Sequence, residues 1–319
     1  MSRIGVISNV RSRRNRRDMP TVRAVLGRHP GVLHREMENM AELPGILAGF
    51  ADRELDLLVI NGGDGTVQAV MTALLNHGLF LRQPRLALLH AGMTNLAAHR
   101  LGWAGRPAEA LERLVRCAAA GARLPLRRQA LLSLRRTPDE APLHGLFLGA
   151  AAFYRGTMMG RARVHRLGVE RSVQAGLSVA LYVLRALFHR GPEDPWVQGD
   201  PIGLEWDDGS EPARSRFLLI ATTLDRLMLG LRPFWGDGEA AIRWTVVDHP
   251  PVRLALALLP LLRGRPQRWM AEAGYRSRRS GRVTLALDCP IMFDGEVVTP
   301  EPGCPIALWH EHELEFVGG

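Results

Sequence analysis

The run Leu57-Leu58-Val59-Ile60-Asn61 passes without a break into Gly62-Gly63-Asp64-Gly65-Thr66 and then into the helix-forming stretch Val67 to Leu75. A short apolar run stopped by glycine reads as a buried strand, and the change of period after it reads as a helix. Glycine lets the backbone turn sharply and brings bare N–H groups close to an anion, while the following helix presents its positive end, with Thr66 as its N-cap. The pattern therefore predicts a phosphate site built from Asn61, Gly62, Gly63, Gly65 and Thr66. Asp64 would face the phosphates across a divalent cation. The alternative is a tight strand-to-helix turn with an Asp-Gly bend, which accounts for two of the glycines but hardly for all three.

The chain has 41 basic residues, all of them arginine, and no lysine. A P-loop needs its lysine on the phosphates, a protein-kinase fold needs a strand lysine, and pyridoxal chemistry needs an amine. None of these is open to this chain, so phosphate must be held by backbone N–H groups, arginine and metal. A net charge of +9 points to anionic partners, a nucleic acid or a membrane surface. No RNA-binding aromatic pattern, zinc finger or basic heptad repeat supports nucleic acid. The arginine bias also fits a GC-rich genome, which leaves the exclusion intact.

Length of 319 residues and a hydrophobic content of 46% suggest a soluble protein of two domains. The three cysteines, Cys117, Cys289 and Cys304, are too widely spaced for a disulfide framework or a zinc site, so a reducing cytoplasm is expected. Ile4-Gly5-Val6-Ile7 is too short for a signal-peptide core and reads as a first strand. No apolar run reaches the ~18 residues of a membrane span.

Strands are expected at Arg3 to Ser8, Val32 to Arg35, Asp56 to Ile60 and Arg85 to Leu89, alternating with helices at Pro20 to Leu26, Met40 to Ala51, Thr66 to His77, Asn95 to Leu101 and Pro107 to Ala119. Alternation of this kind implies a parallel sheet with ligand loops at the carboxyl ends of its strands. From about Leu124 the pattern changes to Ala130 to Leu134, Leu146 to Phe153, Phe217 to Thr222, Ala241 to Val247 and Arg282 to Leu287, with turn-rich stretches such as Gly191 to Pro195, as in a mainly antiparallel domain.

The Gly-Gly-Asp-Gly-Thr segment resembles the nucleotide-binding loop of the diacylglycerol kinase catalytic family, which includes sphingoid-base kinases and bacterial lipid kinases. The same segment occurs in NAD kinases and, in related form, in phosphofructokinases. The loop alone thus implies an ATP-using kinase of this superfamily without naming its substrate. Three further segments extend the resemblance. His90-Ala91-Gly92-Met93-Thr94-Asn95-Leu96-Ala97 is similar to the family's second glycine loop, with Gly92, Thr94 and Asn95 completing the nucleotide site. Leu96 departs from the aspartate common in diacylglycerol kinases; without the family, Thr94 or Asn95 is simply an N-cap. Ser8-Asn9-Val10-Arg11-Ser12 is similar to the opening strand-end motif, with valine in place of the usual proline, and leaves Asn9 as a nucleotide-loop residue. Phe293-Asp294-Gly295-Glu296 resembles the family's late Asp-Gly-Glu motif, where Glu296 would be general base and Asp294 would organise the site or its metal water. Taken without the family, Asp294-Gly295 is a hairpin turn. Gly236-Asp237-Gly238-Glu239 contains the same tripeptide and is read as a turn or substrate-side loop.

The resemblance implies an α/β N-terminal nucleotide-binding domain, residues 1–123, followed by a β-rich, sandwich-like C-terminal domain, residues 124–319, whose terminal segment is a candidate to pack back on the first. The active site would lie in the cleft between them. Asp64, Asp294 and Glu296 are the expected catalytic carboxylates, and Asp64 is also the expected contact to Mg2+, direct or through water. A carboxylate base works near neutral pH when burial or a nearby acid raises its proton affinity.

The expected activity is transfer of the ATP γ-phosphate to a hydroxyl of a diacylglycerol-like or sphingoid-like lipid, at the inner face of the membrane. The five arginines Arg11, Arg13, Arg14, Arg16 and Arg17 would bind phosphates or anionic lipid, or form a solvated charge run. Gly176 to Phe188 and Leu254 to Leu262 are apolar stretches open to either a core or a membrane-facing reading. His310-Glu311-His312 lacks a third nearby ligand and is assigned no metal. The alternatives are an NAD kinase-like enzyme, against which the absent downstream Asn-Glu pair counts, and a catalytically silent lipid- or nucleotide-binding protein on the same fold.

Overall fold

The computed structural model describes residues 3–92, 95–167, 185, 194 and 197–318. Thr94, the segment Gly176 to Phe188 apart from Arg185, and most of the turn at Gly191 to Pro195 lie outside the described residues. The chain divides into two compact units, Met1–Gln129 with His312–Gly319, and Ala130–Glu311.

The first unit is a sheet of β1 (Ile4–Asn9), β2 (Leu33–Met37), β3 (Leu57–Gly62), β4 (Arg85–His90), β5 (Leu126–Ala130) and the C-terminal strand β17 (Glu313–Val317), in the order β2-β1-β3-β4-β17-β5. Neighbours from β2 to β17 run parallel. Every residue of β3 is buried, the signature of a central parallel strand covered on both faces. Helices α1 (Asn15–Gly27), α2 (Leu43–Ala51), α3 (Asp64–His77), α4 (Leu96–Leu101) and α5 (Pro107–Ala119) supply the cover. Val22, Val25 and Leu26 of α1 and Leu111, Leu114 and Val115 of α5 join Ile4, Val6, Val59 and Leu89 in one core. Trp103 ties in the C-terminal strand by donating to the Val317 carbonyl at 3.0 Å.

Two helices begin earlier than the sequence predicts. Helix α1 starts at Asn15 rather than Pro20, and Pro20 lies inside it; the upstream turns are held by bonds from Arg16 N to Ser12 O and from Asp18 N to Arg14 O. Helix α3 starts at Asp64, with Gly63 as its N-cap. Thr66 is therefore a buried residue within the first turn, and the expectation that it caps the helix is corrected.

The second unit holds an antiparallel sheet from β6 (Leu132–Arg135), β7 (Leu143–Gly145), β8 (Phe147–Ala151), β9 (Asp200–Trp206), β10 (Gly209–Thr222), β11 (Ile242–Asp248), β12 (Tyr275–Ser280), β13 (Arg282–Leu287), β14 (Ile291–Phe293), β15 (Glu296–Val298) and β16 (Ile306–Trp309). The long β10 pairs with β9 through its first half and with both β8 and β11 through its second. That branching folds the sheet around an apolar core that includes Leu148, Leu204, Leu219, Trp244, Leu285 and Phe293. The predicted strand Leu146 to Phe153 is cut short: Ala151 takes a left-handed φ of 56°, and α6 (Ala152–Leu167) begins at the next residue. The predicted strand Ala130 to Leu134 is likewise divided between β5 and β6. Helix α7 (Leu254–Arg263) and the short α8 (Arg268–Glu272) pack on a satellite core with Phe217, Val247 and Tyr275. Among the described residues no helix is long and apolar enough to cross a membrane.

Candidate functional site

The three N-terminal motifs meet because their strands are parallel and end in register, Ser8 beside Asn61 and Gly62 beside His90. Each strand hands its loop to the same edge of the sheet. The two glycine loops then touch backbone to backbone. A methyl group on Gly92 would fall 2.5 Å from Gly63 Cα and 2.9 Å from Asn95 Oδ1. One on Gly62 would meet the Thr66 Cβ at 2.5 Å. Close approach of the two loops is what requires Gly63 and Gly92, and the tight turn onto Thr66 is what requires Gly62.

Helix α3 leaves the N–H groups of Gly65 and Thr66 without a helical partner, since its first intrahelical bond runs from Val67 N to Gly63 O at 3.0 Å. Thr66 Oγ1 accepts from Asn9 Nδ2 at 2.9 Å, and Asn9 Oδ1 accepts from Arg11 N at 2.9 Å. The opening motif and the first glycine loop are thus joined side chain to side chain. Asn61 is fully buried and donates to Ser8 Oγ at 3.1 Å, so it braces β3 against β1 beneath the loop.

Asn95 takes a left-handed φ of 49° and stands at the N-cap of α4. Its carboxamide turns back to close the second loop, accepting from Gly92 N at 2.7 Å and donating to Gly92 O at 3.1 Å. Capping of α4 falls instead to Asp64. Its Oδ1 accepts from Ala97 N at 3.3 Å, and the N–H groups of Asn95 and Leu96 also bond to the carboxyl. The residue keeps part of its surface open, but its carboxyl lies deep enough that desolvation raises its pKa to about 6, against the pull of those N–H donors.

Asp64 therefore links the two loops. Among the described residues no group of three or more His, Cys, Asp or Glu side chains is arranged to hold a metal ion.

The contacts of three residues of this edge go beyond the sequence reading. Asn15 Nδ2 donates to Asn9 O at 2.8 Å and to Asn61 O at 2.9 Å, clamping two motifs together. Ser8 is buried and also meets His34 Nε2 at 3.0 Å. Arg14, which entered only as part of the basic run, reaches the second loop through its N–H to Ala91 O at 3.0 Å and its guanidinium to His90 O at 3.2 Å. The one available signal was that Asn15 is the single uncharged residue in Arg13 to Arg17. Burial lowers the pKa of His90, with His99 and Arg14 adding to the effect.

In the second unit, Asp294 and Gly295 form the two-residue turn of the hairpin β14–β15, with Phe293 paired to Glu296. Both have positive φ, 44° and 87°, the geometry that favours Asp-Gly. Asp294 is buried and accepts from Leu146 N at 2.8 Å and Phe147 N at 2.9 Å. Its carboxylate thus pins the hairpin to the start of β8. Glu296 follows directly and is exposed. An open groove of about 490 Å³ lies beside the same strand, lined by Leu134, Leu143, Val297 and Val298 with Arg136 and Glu140. The other Asp-Gly-Glu, at Asp237 to Glu239, lies in an exposed loop. His310-Glu311-His312 is not in a strand; His310 Nδ1 lies 3.2 Å from Leu131 O.

Residues 3–123 match the family model of the diacylglycerol kinase catalytic domain. A crystal structure of a diacylglycerol kinase from Bacillus anthracis str. Sterne is similar over 99% of this chain and 96% of that chain, with a TM-score of 0.65 and 14% identity. Another structure from the same organism, named provisionally as a diacylglycerol kinase, has a TM-score of 0.67, also at 14% identity, covering 99% of this chain and 96% of its own. No curated protein sequence matches significantly. The first unit thus contains the segment that matches this family model, and the chain as a whole has the fold of these structures.

Proposed function

We propose that the protein is a lipid kinase, which transfers the γ-phosphate of ATP to a hydroxyl of a diacylglycerol-like or sphingoid-like lipid at a membrane surface. The observation that carries this reading is the contact of the two glycine loops at the carboxyl edge of a parallel sheet, beside first-turn N–H groups of α3 that have no helical partner. In this reading the N–H groups of Gly65 and Thr66 bind the phosphates. Asn9, Asn15 and Asn61 hold the loop in shape from below. Asp64 keeps the two loops together, and Mg2+ enters on the nucleotide phosphates.

Phosphoryl transfer asks the protein mainly for positioning and charge neutralisation. Glu296 is the proposed acceptor of the hydroxyl proton. Its exposure leaves it accessible to a substrate, and Asp294 fixes the hairpin that carries it. The apolar wall of the neighbouring groove supports a lipid over a small polar acceptor.

The test is transfer of labelled γ-phosphate from Mg-ATP to a lipid extract in micelles, with NAD as a parallel acceptor. Glu296→Gln is expected to lower turnover by at least about a hundredfold while nucleotide affinity is retained. Full activity of that variant refutes the base assignment. Label on NAD alone replaces the lipid reading, and ATP binding without transfer to any acceptor leaves a silent binding protein.

A further inference from the structure

Helix α7 is apolar around its whole circumference between Arg253 and Arg263, yet among the described residues only one side of it is covered. Leu254, Ala257 and Leu261 enter the satellite core with Tyr275 and Met270. Leu256 and Leu259 on the other side are 66% and 54% exposed. An all-apolar helix belongs in a core or a membrane, and a surface helix of a soluble domain carries polar residues outward. This helix does neither.

The exposure is concentrated here. Of the eight large hydrophobic side chains exposed among the described residues, four are Leu229, Val252, Leu256 and Leu259. Val252 adjoins the helix, and Leu229 lies three residues before Arg232, whose N–H donates to Leu262 O at 2.9 Å. The frame beneath is firm: the Arg253 guanidinium stacks 5.7 Å from the Trp269 ring, and Gly264 ends the helix with a φ of 61°, against the carbonyls of Arg232 and Phe234.

Charge decides between occupants. From His249 to Ala271 there is no acidic residue, while Arg253, Arg263, Arg265 and Arg268 are exposed. A second copy of the chain on a two-fold axis would set these arginines against their equals, and a one-helix strip falls short of the ~800 Å² per partner of a stable interface. An anionic bilayer satisfies both features at once, taking the leucines into its acyl boundary and the arginines among its phosphates.

We infer that the outer face of α7, with Val252 and Leu229, docks this protein on anionic lipid bilayers. The lipid-kinase reading is not needed for this, because docking is measured without nucleotide or acceptor.

The experiment is cosedimentation of the full chain with phosphatidylcholine vesicles, with and without phosphatidylglycerol. Variants are Leu256→Gln with Leu259→Gln, Arg263→Gln with Arg265→Gln, and Leu81→Gln, an exposed leucine of the first unit. Wild type is expected to bind the phosphatidylglycerol vesicles. Both pairs of substitutions are expected to weaken binding at least about tenfold, the arginine pair most at low salt, and Leu81→Gln to change nothing. Since every substituted side chain is exposed, circular dichroism should confirm native folding. Equal vesicle binding by the leucine pair overturns the inference. So does a wild-type dimer in gel filtration that the leucine pair makes monomeric without any vesicle binding.

Discussion

Replacing Asp64 by asparagine tests whether the first glycine loop holds a carboxylate that resists ionisation. Its pKa is raised from the usual 3.8 to about 6, chiefly by desolvation. Because the folded value lies above the unfolded one, the folded state binds the extra proton between about pH 4 and pH 6. The contribution of this group to stability is therefore full below about pH 4 and is lost as pH rises through 6. The full span is worth about 3 kcal/mol, of which about 2 kcal/mol is lost between pH 4.5 and pH 7.5. The substituted carboxamide cannot ionise, so Asp64→Asn should gain about 2 kcal/mol relative to wild type on moving from pH 4.5 to pH 7.5.

Any fixed cost of the new amide beside the backbone donors enters at both pH values and cancels in the difference. Two units need not unfold together, so the readout should report on the first alone. Hydrogen exchange through a urea series, followed on peptides from Leu57–Gly62 and Asp64–His77, does this. A pH-independent difference, or one of opposite sign, would show that the carboxyl is not desolvated as argued.

Gly92→Ala places a methyl 2.5 Å from Gly63 Cα, a contact relieved only by parting the loops. It is expected to cost about 1–3 kcal/mol and to weaken nucleotide affinity at least about tenfold, checked by thermal unfolding and by titration of a fluorescent ATP analogue; unchanged affinity would remove the loops from the nucleotide site. Asp294→Ala strips the Leu146 and Phe147 N–H groups of their acceptor and puts alanine at a positive φ. A loss of about 2–5 kcal/mol is expected, with turnover falling further than nucleotide affinity, measured by urea unfolding and by steady-state kinetics.

The glycine loop, the first-unit alternation and the late Asp-Gly-Glu were legible in the chain because each is a local signal. A buried central strand needs an unbroken apolar run, as in Leu57 to Ile60, and helix α5 has the predicted bounds because its apolar positions repeat with the helical period. Partnership was not legible. Whether Asp64 turns to a cation or to the backbone of Asn95, Leu96 and Ala97 depends on where a loop some thirty residues later comes to rest. Asn15 acquires its role only when β1 and β3 lie side by side, and Asp294 only when its hairpin meets β8. The same limit left α7 open between core and surface. An apolar helix has no pattern from which its covered side can be read, and the packing of Leu254, Ala257 and Leu261 decided it. Sequence periodicity records which residues avoid water. Which of them meet one another is set by tertiary packing, through contacts between segments far apart in the chain.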